Sequence, residues 1–215
     1  MPQPISGGLV VIFEGIDGSG KTTQLELAKM SLNKDGWQNI ISSRNLGGTP
    51  VGEELRKVIL SPLKRPSKTN LYISVAIQAA LVEKIKTDRQ EQSIILMDRG
   101  PISLAAYEIY GSKLSENFGM PYVENGMASI KPELLIIYQT DVVTSLERAR
   151  KKRTPTDYFE NQSIEYFKRV ANGYEQLAKR YPEFTMIINA NQSIESIHNQ
   201  TMSAIYQALS RKIGS

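Results

Sequence analysis

Gly15-Ile16-Asp17-Gly18-Ser19-Gly20-Lys21-Thr22, continuing into Thr23, satisfies G-x-x-x-x-G-K-[ST] at every fixed position. It directly follows the apolar run Leu9–Phe13 and opens a helical pattern with Leu25, Ala28 and Leu32 on one side. A strand, a glycine-rich turn and a helix N-terminus in that order make a phosphate cradle. The glycines let successive N–H groups turn inward onto phosphate oxygens, and the positive end of the helix adds to that field. Residues Gly15 through Thr23 are therefore expected to hold the phosphates of a nucleoside triphosphate. Lys21 can bridge its outer phosphates, and the Thr22 hydroxyl can ligate Mg²⁺.

Outward from this stretch, short Ile/Val-rich runs alternate with longer helical patterns. The expected strands are Leu9–Phe13, Ile40–Ser43, Ile94–Met97, Leu134–Tyr138 and Thr185–Ile188. None alternates polar with apolar, which is how strands covered on both faces read. The expected helices are Thr22–Asn33, Val51–Leu60, Asn70–Arg89, Ser103–Tyr110, Val142–Lys152, Ser163–Arg180 and Ile194–Lys212. Gly111–Lys131, rich in Gly, Ser, Asn and Met, reads as the longest irregular stretch. Strand–helix alternation predicts an α/β three-layer P-loop NTPase fold. Its five-stranded parallel sheet is flanked by helices, with a short lid near 148–158. Residues 1–215 are expected to form one domain, for no repeat or composition shift divides them.

Composition narrows the function classes. Of the 215 residues 40% are apolar and 22% charged, and the formal net charge is +4. So small an excess of cations suits a phosphate-bearing ligand, and no basic run interleaved with aromatics suggests single-strand binding. No nucleic-acid partner is expected. There is no cysteine, which excludes disulfides, thiolate zinc sites and a cysteine nucleophile. The apolar runs are strand-sized, so neither a signal peptide nor a membrane span is expected, and the cytoplasm is the expected location. His198, the only histidine, reads as an ordinary surface residue of a helix.

Two further clusters carry charge. Ile94–Met97 runs into Asp98-Arg99, and an Asp at the end of a neighbouring strand can hold the metal ion or its water. Arg99 can meet an acceptor phosphate, although the two side chains could also simply pair with each other. Arg148, Arg150, Lys151, Lys152 and Arg153 end a helix before Thr154-Pro155-Thr156. They form either a solvated helix end or a mobile lid whose arginines cover the transferring phosphate.

The guanine reader of signalling GTPases is missing: the only Asn-Lys pair, Asn33-Lys34, comes far too early and runs into Asp35-Gly36. The chain instead resembles the thymidylate kinase family of P-loop nucleoside monophosphate kinases. Phe13-Glu14-Gly15 through Gln24 looks like that family's P-loop, and Gly47-Gly48-Thr49 through Arg56 like its stretch after the second strand. Asp98-Arg99 with Ala106-Tyr107, and Asp157-Tyr158-Phe159-Glu160 after the lid, resemble further family motifs. The resemblance implies transfer from ATP to dTMP. It places Asp17 near the acceptor sugar, Arg99 near its phosphate, Tyr107 beside the sugar, and Arg148 and Arg153 on the donor phosphates. Lys21, Arg99, Arg153 and Asp17 would be the catalytic set, with Thr22 and Asp98 at the metal. Alternatives are a kinase of another nucleoside monophosphate or of a free deoxynucleoside.

The acceptor side departs from the family pattern. Arg44-Asn45-Leu46 stands where Arg-Glu-Pro is usual, and Gly100-Pro101 where an aromatic residue or His follows Asp-Arg. Ser74 falls on the position of a base-stacking Phe, Gln78 on that of a base-reading Arg, and Leu104 on that of a small polar residue. Independently of the family, Leu71–Ile85 has almost no polar face, so it is expected to be buried on most sides, partly against a second copy in a homodimer. Ser74 and Gln78 interrupt it four residues apart, so they share a face. A bound base, other parts of the protein or solvent would pair with them.

Overall fold

The computed structural model describes residues 5–151, 158–159 and 162–213. Five strands form one parallel sheet in the order β2-β3-β1-β4-β5. They are β1 (Leu9–Glu14), β2 (Ile40–Arg44), β3 (Ile94–Asp98), β4 (Leu134–Gln139) and β5 (Thr185–Asn189). All of β1, and nearly all of β3 and β4, is buried on both faces, while β2 and β5 at the edges are partly open.

Successive strand residues feed two separate cores, as the two-residue period requires. Val10, Ile12, Ile95, Met97, Leu135 and Ile137 point to one face. Helices α3 (Ser67–Asp88), α5 (Glu116–Ile130) and α7 (Ile164–Arg180) complete that core. Leu9, Val11, Phe13, Ile94, Leu96 and Ile136 point to the other, covered by α1 (Lys21–Lys34) and α8 (Ile194–Ile213). Each Leu or Ile so buried contributes about 1.5–3 kcal/mol. His198 is half-buried, its ring 2.9 Å from Ser31 Oγ, so it ties α8 to α1 and is less of a surface residue than expected.

The remaining helices are α2 (Pro50–Leu60), α4 (Pro101–Leu104) and α6 (Val142–Arg150). α2 begins one residue earlier than expected because Pro50 fits the first turn and the Thr49 side chain accepts from the Gly52 N–H at 3.0 Å. The expected helix Ser103–Tyr110 instead starts at Pro101 and passes from α4 into a π-helical segment, Ala105–Gly111. Lys152, the expected end of α6, lies outside the described residues.

Gly111–Lys131 is not irregular: Glu116–Ile130 is helix α5, with Pro121 inside it. Met120, Val123, Met127 and Ile130 recur at helical spacing on its buried face. Its glycines are sites of close approach. A Cβ on Gly119 would lie 2.8 Å from Ile109, and one on Gly126 2.3 Å from the Gln78 amide. Helix α3 buries Leu71, Ser74, Ile77, Gln78, Leu81, Val82 and Ile85 but leaves Tyr72 exposed and Ile73 and Val75 only partly covered. Within one chain it is therefore covered on one side rather than on most.

Candidate active site

The sheet order reverses direction of travel at β1, whose neighbours are β3 and β4, and the crevice at the carboxyl ends of those strands is where such sheets bind ligands. The P-loop leaves β1 there. Gly18 and Gly20 adopt φ of 82° and 92°, in the left-handed region. At Gly18 space is decisive too, since a Cβ would sit 1.9 Å from the Ser145 carbonyl oxygen. Gly20 caps α1 in open space and is glycine for its backbone alone.

Lys21 is 6% exposed, with Nζ 3.4 Å from the Ile16 carbonyl and 3.7 Å from Asp17 Oδ1. Burial and then the nearby Arg99 charge lower its pKa, against the pull of Asp17, Asp98 and Glu14. Phe13 and Asp98 are register partners on β1 and β3, which puts the end of β3 beside the P-loop. Thr22 Oγ1 donates to Asp98 Oδ2 at 2.7 Å. Two hard oxygen donors meeting beside a phosphate cradle fit Mg²⁺, which keeps most of its waters and takes few protein ligands.

Arg99 follows with φ of 69°, an uncommon conformation for a side-chain-bearing residue. Its guanidinium is held from five directions. Nη1 donates to Gly15 O at 3.0 Å, Tyr174 Oη at 3.0 Å and Ser103 Oγ at 3.2 Å. Nη2 donates to Asp17 Oδ1 and to Tyr107 Oη, both at 2.9 Å. Tyr107 Oη in turn donates to Asp17 Oδ2 at 3.2 Å. Beneath lies Glu14, fully buried, accepting from Gly100 N at 2.7 Å, Ser103 Oγ at 2.6 Å and Tyr174 Oη at 2.9 Å. Burial raises its pKa, and Arg99 is the strongest influence opposing that.

These groups open into one cavity of about 320 Å³. Asp17, Gly18, Gly20, Lys21, Thr22 and Thr23 line it on the P-loop side. Arg44, Ser74, Gln78, Asp98, Arg99, Leu104 and Tyr107 are among the residues that line its other walls. A cation-lined cleft with a phosphate cradle at one wall and amide, hydroxyl and aromatic side chains at another suits two nucleotides side by side.

Comparison with known proteins agrees with this geometry. The thymidylate kinase family model matches residues 13–201. The chain belongs to the thymidylate kinase family. A thymidylate kinase of Kosmotoga olearia is 33% identical over 208 residues, covering 96% of this chain and 99% of that protein. One of Hahella chejuensis is 32% identical over 209 residues, covering 96% and 98%. The crystal structure of thymidylate kinase from Ehrlichia chaffeensis superposes with a TM-score of 0.71 over 93% of this chain and 99% of that one. At 23% identity that likeness speaks for the fold.

Set against what the motifs of this kinase family suggested, the structure gathers most expected residues and leaves a few aside. Gly15, Ile16 and Ser19 lie behind the cavity wall and shape the loop rather than line the cleft. Arg148 is exposed on α6 and off the cavity, which its neighbour Ala149 lines. Arg153 lies outside the described residues. Arg44 lines the cleft but pairs with Glu53 at 2.6 Å.

Four residues without an expected role also belong to the site. Arg56 lines the cavity and donates to the Leu46 carbonyl at 2.6 Å. Phe159 lines it edge-on to Tyr107, ring centroids 5.4 Å apart. Glu14 supports Arg99 from below. Glu108, on the π-helical segment, is 1% exposed and faces the cavity. Its signal was a lone carboxylate inside the apolar run Leu104-Ala105-Ala106-Tyr107-Glu108-Ile109.

Proposed function

We propose that the chain transfers the terminal phosphate of ATP to dTMP, giving ADP and dTDP. The observation that carries this reading is the shared cavity. Lys21 and the Thr22–Asp98 pair stand at one wall, and Arg99, Tyr107, Ser74 and Gln78 at the others. The relatives named thymidylate kinase support it over nearly their whole length.

Transfer is in line and needs no covalent enzyme intermediate. A phosphate oxygen of the acceptor bonds to the γ-phosphorus as the bond to the β–γ bridging oxygen breaks. Lys21, desolvated beside Asp17, neutralises charge on the transferred group, and Arg99 presents a second fixed cation. Thr22 and Asp98 would hold Mg²⁺, which supplies further charge neutralisation on the phosphate oxygens. Asp17 and Tyr107 fix the orientation of Arg99, and the family resemblance supports them as the residues that would flank the acceptor sugar. The basic segment 148–158, with Arg153, is the proposed lid.

The test is ATP consumption with Mg²⁺ and each common ribo- and deoxyribonucleoside monophosphate. dTMP is expected to give the highest kcat/KM. Another winner overturns the acceptor assignment, and no phosphorylated monophosphate overturns the kinase reading altogether.

The partly covered outer face of α3, with Tyr72, Ile73 and Val75, supports a homodimer through that helix. Sedimentation equilibrium is expected to give twice the 24.1 kDa chain mass, and a pure monomer refutes the dimer. No described helix is long and apolar enough to cross a membrane. The absence of cysteine suits a reducing cytoplasm, the proposed site of this reaction.

A further inference from the structure

Glu14 ends β1 with no exposed surface, and Tyr174 of α7 is 2% exposed. Neither lines the cavity, so any part they play in the reaction passes through other groups. A carboxylate buried this deeply is costly unless it is paired and hydrogen-bonded. Three donors converge on this one, drawn from the Gly100 backbone, from Ser103 of α4 and from Tyr174.

Counting hydrogens settles which way each bond runs. The Gly100 N–H takes Oε1 at 2.7 Å. Ser103 Oγ lies 2.6 Å and Tyr174 Oη 2.9 Å from Oε2, and the two hydroxyl oxygens are 2.9 Å apart. Each hydroxyl owns one hydrogen, and burial keeps the Tyr174 hydroxyl protonated. An ionised carboxylate only accepts, so both hydrogens stay inside this triangle of oxygens. Arg99 Nη1 caps the triangle, 3.2 Å from Ser103 Oγ and 3.0 Å from Tyr174 Oη. A guanidinium only donates, so both hydroxyls meet it with their lone pairs. Nη1 spends its other hydrogen on the Gly15 carbonyl, and Nη2 spends its two on Asp17 and Tyr107. With every terminal hydrogen matched to an acceptor, the guanidinium is held in one plane.

We propose that Glu14 is a positioning residue for phosphate transfer, which acts through the Ser103 and Tyr174 hydroxyls by holding their hydrogens away from Arg99. This rests on the nucleoside monophosphate kinase reading, in which Arg99 meets the acceptor phosphate. It has a sharp consequence for Glu14→Gln, a change that keeps shape and volume. The Gly100 N–H selects the amide oxygen, which leaves the amide N–H groups facing Ser103 and Tyr174. Both hydroxyls then accept from the amide, and their hydrogens turn toward Nη1. Two acceptors for Arg99 become two opposing donors.

The test measures kcat and KM, for ATP and for the monophosphate the wild type prefers, in four proteins: wild type, Glu14→Gln, Arg99→Ala and the double variant. All are assayed below their melting transitions. Glu14→Gln is expected to lower kcat/KM for the acceptor at least about tenfold, the scale of a hydrogen bond to a charged group, and to leave KM for ATP within about twofold. In the Arg99→Ala background the same change should cost less than about twofold, because the group it acts through is gone. It also removes a buried charge that Arg99→Ala leaves without its cation, so the double variant folds at least as well as Arg99→Ala. Glu14→Gln within about twofold of wild type for the acceptor overturns the proposal, and so does a loss of equal size with and without Arg99, the result for a residue that merely holds β1 in place. Tyr174→Phe leaves the carboxylate intact and gives a second reading. It should lower kcat/KM for the acceptor at least about threefold, the scale of one hydrogen bond, and no loss overturns the proposal. A wild type that phosphorylates no monophosphate overturns the kinase reading itself, and the role of Glu14 with it.

Discussion

Lys21→Ala is expected to lower kcat/KM at least about 100-fold, the scale of losing one preorganised charge stabiliser. The structure adds that the fold should barely notice. Lys21 is a desolvated cation whose ion-pair partner among the described residues, Asp17, keeps its shorter pairing with Arg99 at 2.9 Å after the lysine is gone. Removing Lys21 also removes its repulsion from Arg99, the second-largest influence lowering its pKa after burial. The melting temperature of the variant should therefore equal or exceed the wild type's while turnover collapses. Phosphates arriving in the P-loop would reverse the balance by giving the cation closer anionic partners, and that difference between empty and filled cleft would make Lys21 catalytic. Lys21→Arg should not restore activity, because a planar, longer group does not fit a point-charge site enclosed by backbone. Activity within tenfold of wild type in Lys21→Ala, measured beside a melting curve, contradicts the assignment.

The fold was legible where the chain's local chemistry and its final environment agree. Leu9–Glu14 reads as a doubly covered strand because it is one, and the P-loop is a continuous stretch whose geometry its own residues dictate. Helix α5 was hidden because Gly119 and Gly126 look like loop residues until their neighbours, Ile109 and Gln78, are known to press against them. The buried spacing of Met120, Val123, Met127 and Ile130 was the better guide, and composition masked it. The π-helical segment Ala105–Gly111 left no mark in the sequence, since a shift from one hydrogen-bond register to another changes no periodicity that seven residues can display.

In the site, the same division holds between local and assembled features. Lys21, Thr22 and Asp98 could be named from motifs, and the structure brings the last two to 2.7 Å. Glu108 could not, because a single glutamate on a helix normally faces water, and only the cavity shows that this one is enclosed. Gln78 was read as pairing with a base, within the protein or with solvent; its Nε2 pairs within the protein, donating to the Tyr122 carbonyl. Arg99 was expected as a clamp on the acceptor phosphate. Its terminal N–H groups converge on Gly15, Asp17, Ser103, Tyr107 and Tyr174, drawn from three separate stretches of chain. No sequence pattern announces such a convergence.

That convergence makes Arg99→Ala the most informative single substitution. Two effects should appear, and they can be separated. The first is on stability: Glu14 loses its strongest favourable charge, Asp17 its closest cation, and Ser103, Tyr174 and the Gly15 carbonyl a donor. Breaking a buried ion pair from one side costs about 3–5 kcal/mol. For a chain of this size that lowers the melting temperature by roughly 6–20 °C. The second effect is on the reaction, measured well below that lowered melting temperature. If Arg99 neutralises the acceptor phosphate, KM for dTMP rises and kcat falls, together at least about 100-fold in kcat/KM, while KM for ATP moves little. A guanidinium that only braced Asp17 and Tyr107 would give the melting shift without the rise in dTMP KM. Arg99→Lys sharpens the distinction, since it keeps the charge but not the fork that reaches five partners. It should remain thermally weakened yet recover part of the acceptor affinity, and a lysine variant as impaired in dTMP KM as the alanine one assigns Arg99 to scaffolding alone.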